Sequence, residues 1–156
     1  MTISNSDNII DSRDVIERIE ELQAEREGLQ EDVEEARQCI IYHHGEIDPN
    51  GNYTEHKELR RCTDELEHWE IEEGQELAAL ESLQEEAEGY ATDWRYGATL
   101  IREDYFTEYA MELLADIGDL PRDIPHYIVI DEEATADNLK VDYNTVDFDG
   151  ETYYIR

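Results

Sequence analysis

The chain has 156 residues, with 43 Asp and Glu against only 12 Lys and Arg, a formal net charge of −31. That charge excludes direct binding to nucleic acid or to an anionic membrane surface, and it exceeds the magnitude of roughly 2 to 8 that solubility asks of a small domain. Ten Tyr and two Trp set the chain apart from a disordered acidic tail and call for a packed core.

Residues 1–11 carry neither a basic segment nor an apolar one. They read as a flexible acidic tail rather than a signal peptide. No stretch approaches 18 consecutive apolar residues, so no membrane span is expected and a cytoplasmic location is the default. Cys39 and Cys62 are then expected as free thiols.

Residues 12–89 predict a long antiparallel helical hairpin. Val15, Ile19, Leu22, Arg26, Leu29, Val33, Ala36 and Ile40 recur at alternating steps of four and three, a heptad seam interrupted only by Arg26. Asp11 or Ser12 can cap its start. The turn formers of Gly45 to Asn52 end this first helix. A second seam follows through Leu59, Cys62, Leu66, Trp69, Glu73, Leu77, Leu80 and Ala87, with a stutter between Glu73 and Leu77.

Residues 90–156 lack heptads and predict a small α+β module. Phe106, Tyr109, Ala110, Leu113, Leu114 and Ile117 share one face of a helix that Gly118 ends in a left-handed cap. Asp131 caps a short helix running to Lys140. Residues 145–148 and 151–155 flank Asp149-Gly150, a strong two-residue hairpin signal. The fold class is thus mostly α with a small α+β module: a coiled-coil hairpin followed by a helix plus β-hairpin domain.

The charge falls on both halves, with 25 acidic and 7 basic side chains in residues 12–89. Helices of about 30 residues are about 45 Å long, so the carboxylates average about one per 2 Å. Duplex DNA carries about one phosphate per 1.7 Å. Two plainer readings explain the same charge: a solvated helix surface, and adaptation to high salt, since Lys57 and Lys140 are the only lysines.

Other chemistry is thin. Cys39 and His43 are four residues apart, and with His44, His56 and Cys62 they could form a zinc site at the hairpin tip, yet no C-x-x-C or H-x-x-x-H pair exists and ordinary packing is preferred. Asp48, Asn50 and Asn52 resemble the start of a calcium loop, but the glycine falls at Gly51 and Leu59 stands at position twelve, so the match fails. There is no glycine-rich phosphate loop and no nucleophile elbow. No cofactor, no metal and no enzymatic activity are expected.

Residues 94–156 resemble the terminal module of ArdA-type antirestriction proteins and small acidic phage antirestriction proteins. The landmarks are a helix ending in Ile117-Gly118, a short helix opening with Ile130-Asp131, and a final strand Tyr153-Tyr154-Ile155-Arg156. The resemblance implies an elongated acidic dimer that mimics DNA and occupies the DNA groove of type I restriction–modification enzymes in the host cytoplasm. Another DNA-binding defence system, such as a CRISPR effector, would present a similar channel. The preceding domains of that family are not recognisable here, so its dimer contact cannot be mapped onto this chain.

On this reading the partner-binding carboxylates are Glu31, Asp32, Glu34, Glu35, Glu65, Glu72, Glu73, Glu85 and Glu86 on the hairpin. Asp104, Glu108, Glu112, Asp116 and Asp119 continue the stripe on the module, mostly at i, i+4 spacing. The alternative is a non-enzymatic acidic coiled-coil adaptor that recruits a partner through its apolar seam.

Overall fold

A computed structural model describes residues 3–42, 54–121 and 123–156. The elements run β1 (Ile9–Asp11), α1 (Ser12–Tyr42), α2 (Thr54–Glu72), α3 (Gly74–Glu88), α4 (Trp94–Gly97), β2 (Thr99–Arg102), a 3-10 turn (Glu103–Tyr105), α5 (Phe106–Asp116), α6 (Glu132–Lys140), β3 (Asn144–Phe148) and β4 (Glu151–Ile155). The protein is mostly helical with a small antiparallel sheet, as the periodicity predicts. The expected turn at Gly45–Asn52, and His43 and His44 of the suggested zinc cluster, lie outside the described residues.

The chain forms two compact units, residues 19–78 and residues 1–18 with 79–156. This division differs from the sequence boundaries at 11/12 and 89/90. Those boundaries follow where heptads begin and end, whereas compactness follows which residues pack together.

In the hairpin unit the heptad seams do what their spacing dictates. Val33, Ala36 and Cys62 form a buried cluster with Leu59 and Leu66 packed on it. Arg26 Nε lies 2.8 Å from Glu70 Oε1, and Trp69 Nε1 donates to Glu25 Oε2 at 3.2 Å. Residues 25 and 26 of α1 thus meet 69 and 70 of α2 while 33 and 36 meet 62, so the two helices are antiparallel. Arg26 interrupts the apolar seam without breaking it, because Glu70 faces it across the helix pair. The stutter appears as the break at Glu73 between α2 and α3. The bonds Glu73 N→Trp69 O (2.7 Å) and Leu77 N→Glu73 O (3.0 Å) carry the helical ladder across it.

The other unit is built on a sheet with strand order β1-β2-β4-β3, every neighbouring pair antiparallel. Asp149 (φ 50°) and Gly150 (φ 85°) form the β3–β4 turn, both left-handed as a tight primed hairpin turn requires. Leu100 and Ile101 point to opposite faces of β2, and both are fully buried, so both faces of the sheet are covered. One face carries Ile101, Phe106, Ala110 and Ala136, with Tyr105, Tyr109, Leu139, Tyr143 and Tyr154 around them. Phe106 meets Tyr143 edge-on at 5.1 Å and Tyr154 at 4.7 Å between ring centroids. By register, Ile10, Leu100, Val146, Tyr153 and Ile155 share the opposite face, and all are buried.

Two expectations are corrected here. Residues 9–11, read as part of a flexible tail, are strand β1, with Ile10 buried opposite Leu100. Tyr153 Oη donates towards the carbonyls of Asn5 (2.9 Å) and Asp7 (2.7 Å), which ties the preceding residues to the sheet as well. The α5 face is shorter than its apolar spacing suggests. Phe106 and Ala110 are buried, but Ile117 is 60% exposed, because the helix ends at Asp116 and Gly118 (φ 85°) turns the chain away.

Candidate functional site

Among the described residues the buried polar or charged side chains reduce to one, Ser12. Every Asp and Glu among the described residues therefore reaches the surface. An ionised carboxylate taken from water costs several kcal/mol, so a chain this acidic can fold only with its charge outside. The sequence-predicted residues follow this rule. Glu31, Asp32, Glu34, Glu35, Glu65, Glu72, Glu85, Glu86, Asp104, Glu108, Glu112, Asp116 and Asp119 are exposed, and Glu73, at the α2–α3 break, is half-buried.

They are not equivalent. Glu34 accepts from Gln38 Nε2 at 2.8 Å and lies 3.9 Å from Arg37. Glu65 pairs with Arg61 at 2.7 Å, and Glu72 with His68 at 3.1 Å. Glu86 Oε2 accepts from Asp147 N at 3.1 Å, a bond to the outer strand β3 that gives this carboxylate a structural task. Glu31, Asp32, Glu35, Glu85, Asp104, Glu108, Asp116 and Asp119 have no hydrogen-bond or ion-pair partner among the described residues. Of the fourteen predicted carboxylates, these eight are the ones the fold leaves unengaged among the described residues.

The expected module stripe is interrupted. Glu108, Glu112 and Asp116 lie on α5 one turn apart, but Asp104 belongs to the 3-10 turn and Asp119 follows the Gly118 cap. Charge from Glu112 and Glu108 adds to burial in pushing the Tyr105 hydroxyl above its ordinary pKa. Local field from this stripe is thus felt by its neighbours.

The cysteines sit together in the way their positions suggest. Asp32, Glu35, Ala36, Cys39, Glu58, Arg61 and Cys62 line one cavity of about 510 Å³ in the hairpin unit. Cys62 is buried, which raises its thiol pKa, while Cys39 is exposed. Among the described residues no group of three His, Cys, Asp or Glu is arranged to hold a metal ion.

Sequence reasoning missed the cationic side of α2. Lys57, Arg60, Arg61, Asp64, Glu65 and His68 line a second cleft of about 470 Å³. Arg61 pairs with both Glu58 and Glu65, which holds the Glu58 carboxyl below the usual range. The signal was the spacing of Lys57, Arg60 and Arg61, three cations within five residues of an otherwise acidic chain.

The chain matches no protein family, no curated protein and no solved structure. No helix among the described residues is long and apolar enough to cross a membrane.

Proposed function

We propose that this protein is a DNA mimic: it inhibits a DNA-binding defence enzyme by filling the enzyme's basic groove with surface carboxylates. The observation that carries this reading is the surface placement of every acidic side chain among the described residues, eight of the fourteen predicted ones having no partner there. A groove built to take up phosphates gains the same counterion release from such a surface without reading a base. Long-range attraction would steer the encounter. The protein acts by occupancy and performs no chemistry.

The ArdA-type resemblance of residues 94–156 makes a type I restriction–modification enzyme of the host cytoplasm the first target to test. In this stretch Gly118 ends α5, Asp131 Oδ1 accepts from Ala134 N at 3.0 Å to cap α6, and Tyr153 to Ile155 lie in β4. The adaptor reading has less to work with, since the seam residues Val33, Ala36 and Cys62 are buried inside the hairpin unit.

The test is DNA cleavage by a type I enzyme titrated with this protein at about 0.1 M and about 0.5 M salt, where screening lengths are roughly 10 Å and under 5 Å. Inhibition that weakens steeply with salt and is relieved by competitor duplex supports mimicry. Neutralising Glu31, Asp32, Glu35 and Glu85 together is expected to weaken inhibition at least about tenfold, whereas single neutralisations cost little, as for exposed charges generally. A fourfold variant that keeps full potency and full salt sensitivity sinks the idea.

A further inference from the structure

The cationic side of α2 has no role in a surface that imitates DNA. The helix turns Leu59, Cys62, Leu66 and Trp69 toward its buried side, and its opposite side carries Lys57, Arg60, Arg61, Asp64, His68 and Ile71, gathered on one face by the 3.6-residue turn. All six are exposed, Ile71 by 69%. Charge along this side is sorted by position. Lys57, Arg60 and Arg61 occupy the first half of α2, while Glu67 and Glu72 flank the second. Lys57, Arg60 and Glu67 have no ion-pair partner among the described residues.

Such a helix is complementary to itself when reversed. Positions 57 and 72, and positions 60 and 67, are each centred on Asp64 to within half a residue. We propose that two copies of this chain associate through α2 in antiparallel orientation, Lys57 and Arg60 of one copy meeting Glu72 and Glu67 of the other. The two Ile71 side chains would then be covered at either end of the contact. A twofold contact of this kind uses the same patch on both copies, so each charge pair is made twice. A nucleic acid or an anionic lipid surface fits the same cations less well, because the net charge of −31 repels either one.

The whole-chain charge also opposes pairing of two copies, and the balance depends on range. Screening lengths fall from about 30 Å at 0.01 M to about 8 Å at 0.15 M and about 3 Å at 1 M. Moderate salt therefore removes the long-range repulsion before it removes contact pairs, and association passes through a maximum between those limits. A single helix face buries less than the roughly 1,200 Å² of a stable interface, so the dimer is weak and concentration-dependent. Asp64 faces its own copy at the twofold axis, and Asp64→Asn strengthens the contact.

Sedimentation equilibrium of the full chain tests this with a charge swap. Lys57→Glu with Arg60→Glu makes both ends of the contact repulsive, as does Glu67→Lys with Glu72→Lys. Each double variant alone is expected to associate at least about tenfold more weakly than the parent, a change of about 1.4 kcal/mol. An equimolar mixture of the two restores attraction at both ends, and association is expected to return to parental strength. All four positions are exposed, and helix content by circular dichroism checks that the variants fold. A parent that stays monomeric across the salt series overturns the proposal. So does a double variant that associates normally, or a mixture that fails to recover.

Discussion

The two compact units solve the problem of folding an acidic chain differently. The sheet unit concentrates aromatic and branched side chains, with Trp94, Phe106, Leu100, Ile101, Tyr153 and Ile155 all buried. The hairpin unit buries fewer side chains, Ile19, Leu22, Val33, Ala36, Cys62, Trp69 and Leu77, with Leu59 and Leu66 packed against the Val33, Ala36 and Cys62 cluster. Fully burying a large apolar side chain contributes about 1.5–3 kcal/mol, and Ala contributes far less. Resistance to self-repulsion is therefore concentrated in the sheet unit. Amide exchange is expected to show residues 19–78 opening at lower free energy than the sheet strands, as thinly packed regions do. Equal protection of the two units would remove the contrast.

The largest single effect is expected at the sheet core. Phe106 touches helix, sheet and loop side chains through Tyr109, Tyr143 and Tyr154. Phe106→Ala is expected to cost about 3–5 kcal/mol, read by denaturant unfolding with near-ultraviolet dichroism as the probe. A loss below about 1 kcal/mol, typical of a surface substitution, would mean that this cluster does not carry the unit.

High pH acts on the same unit. Burial pushes the Tyr153 hydroxyl up from 10.0 to about 12, so the folded state holds its proton where the unfolded chain has released it. The folded state is favoured below the unfolded value and loses that advantage as pH rises from about 10 towards 12. Tyr153→Phe removes this titration but also the bonds to Asn5 and Asp7. It is expected to flatten the alkaline limb of the stability profile while lowering stability at neutral pH by about 1 kcal/mol. An unchanged alkaline limb would exclude Tyr153 as its source.

How much could be read beforehand differs between the units for the same physical reason. Heptad spacing repeats over many residues, so α1, α2 and the stutter at Glu73 were legible. The β3–β4 hairpin was legible because Asp149-Gly150 has one favoured geometry. Strands β1 and β2 were not: three and four residues long, they are too short for alternation to register, and Leu100 and Ile101 are buried on opposite faces. Ser12 shows the same limit. It reads as a helix cap, but its Oγ donates to Trp94 O at 2.6 Å and accepts from Ala98 N at 2.7 Å, contacts 82 and 86 residues away. Asp11 Oδ1 instead accepts from Arg13 N at 2.9 Å and serves the start of α1. For the candidate site, composition foretold exposure but not which carboxylates are already engaged. Glu86 differs from Glu31 through a neighbour 61 residues away, the Asp147 amide, which no local pattern announces.

The smallest expected effect lies at the one polar position of the first seam. Arg26 and Glu70 are paired at 2.8 Å with side chains 43% and 39% exposed, a half-solvated geometry in which an ion pair contributes about 0–1 kcal/mol. A leucine at position 26 would extend the seam from Leu22 to Leu29, gaining apolar contact while leaving Glu70 hydrated. Removing a cation from an acidic chain costs something through added repulsion, and about 0.15 M salt screens that cost beyond 8 Å. Arg26→Leu is therefore expected to change hairpin stability by less than about 1 kcal/mol, with a small gain at moderate salt and a small loss at low salt. Helix loss followed at both ionic strengths decides it. A large loss at either would mean that the Arg26–Glu70 pair, rather than the apolar seam, sets the register of α1 against α2.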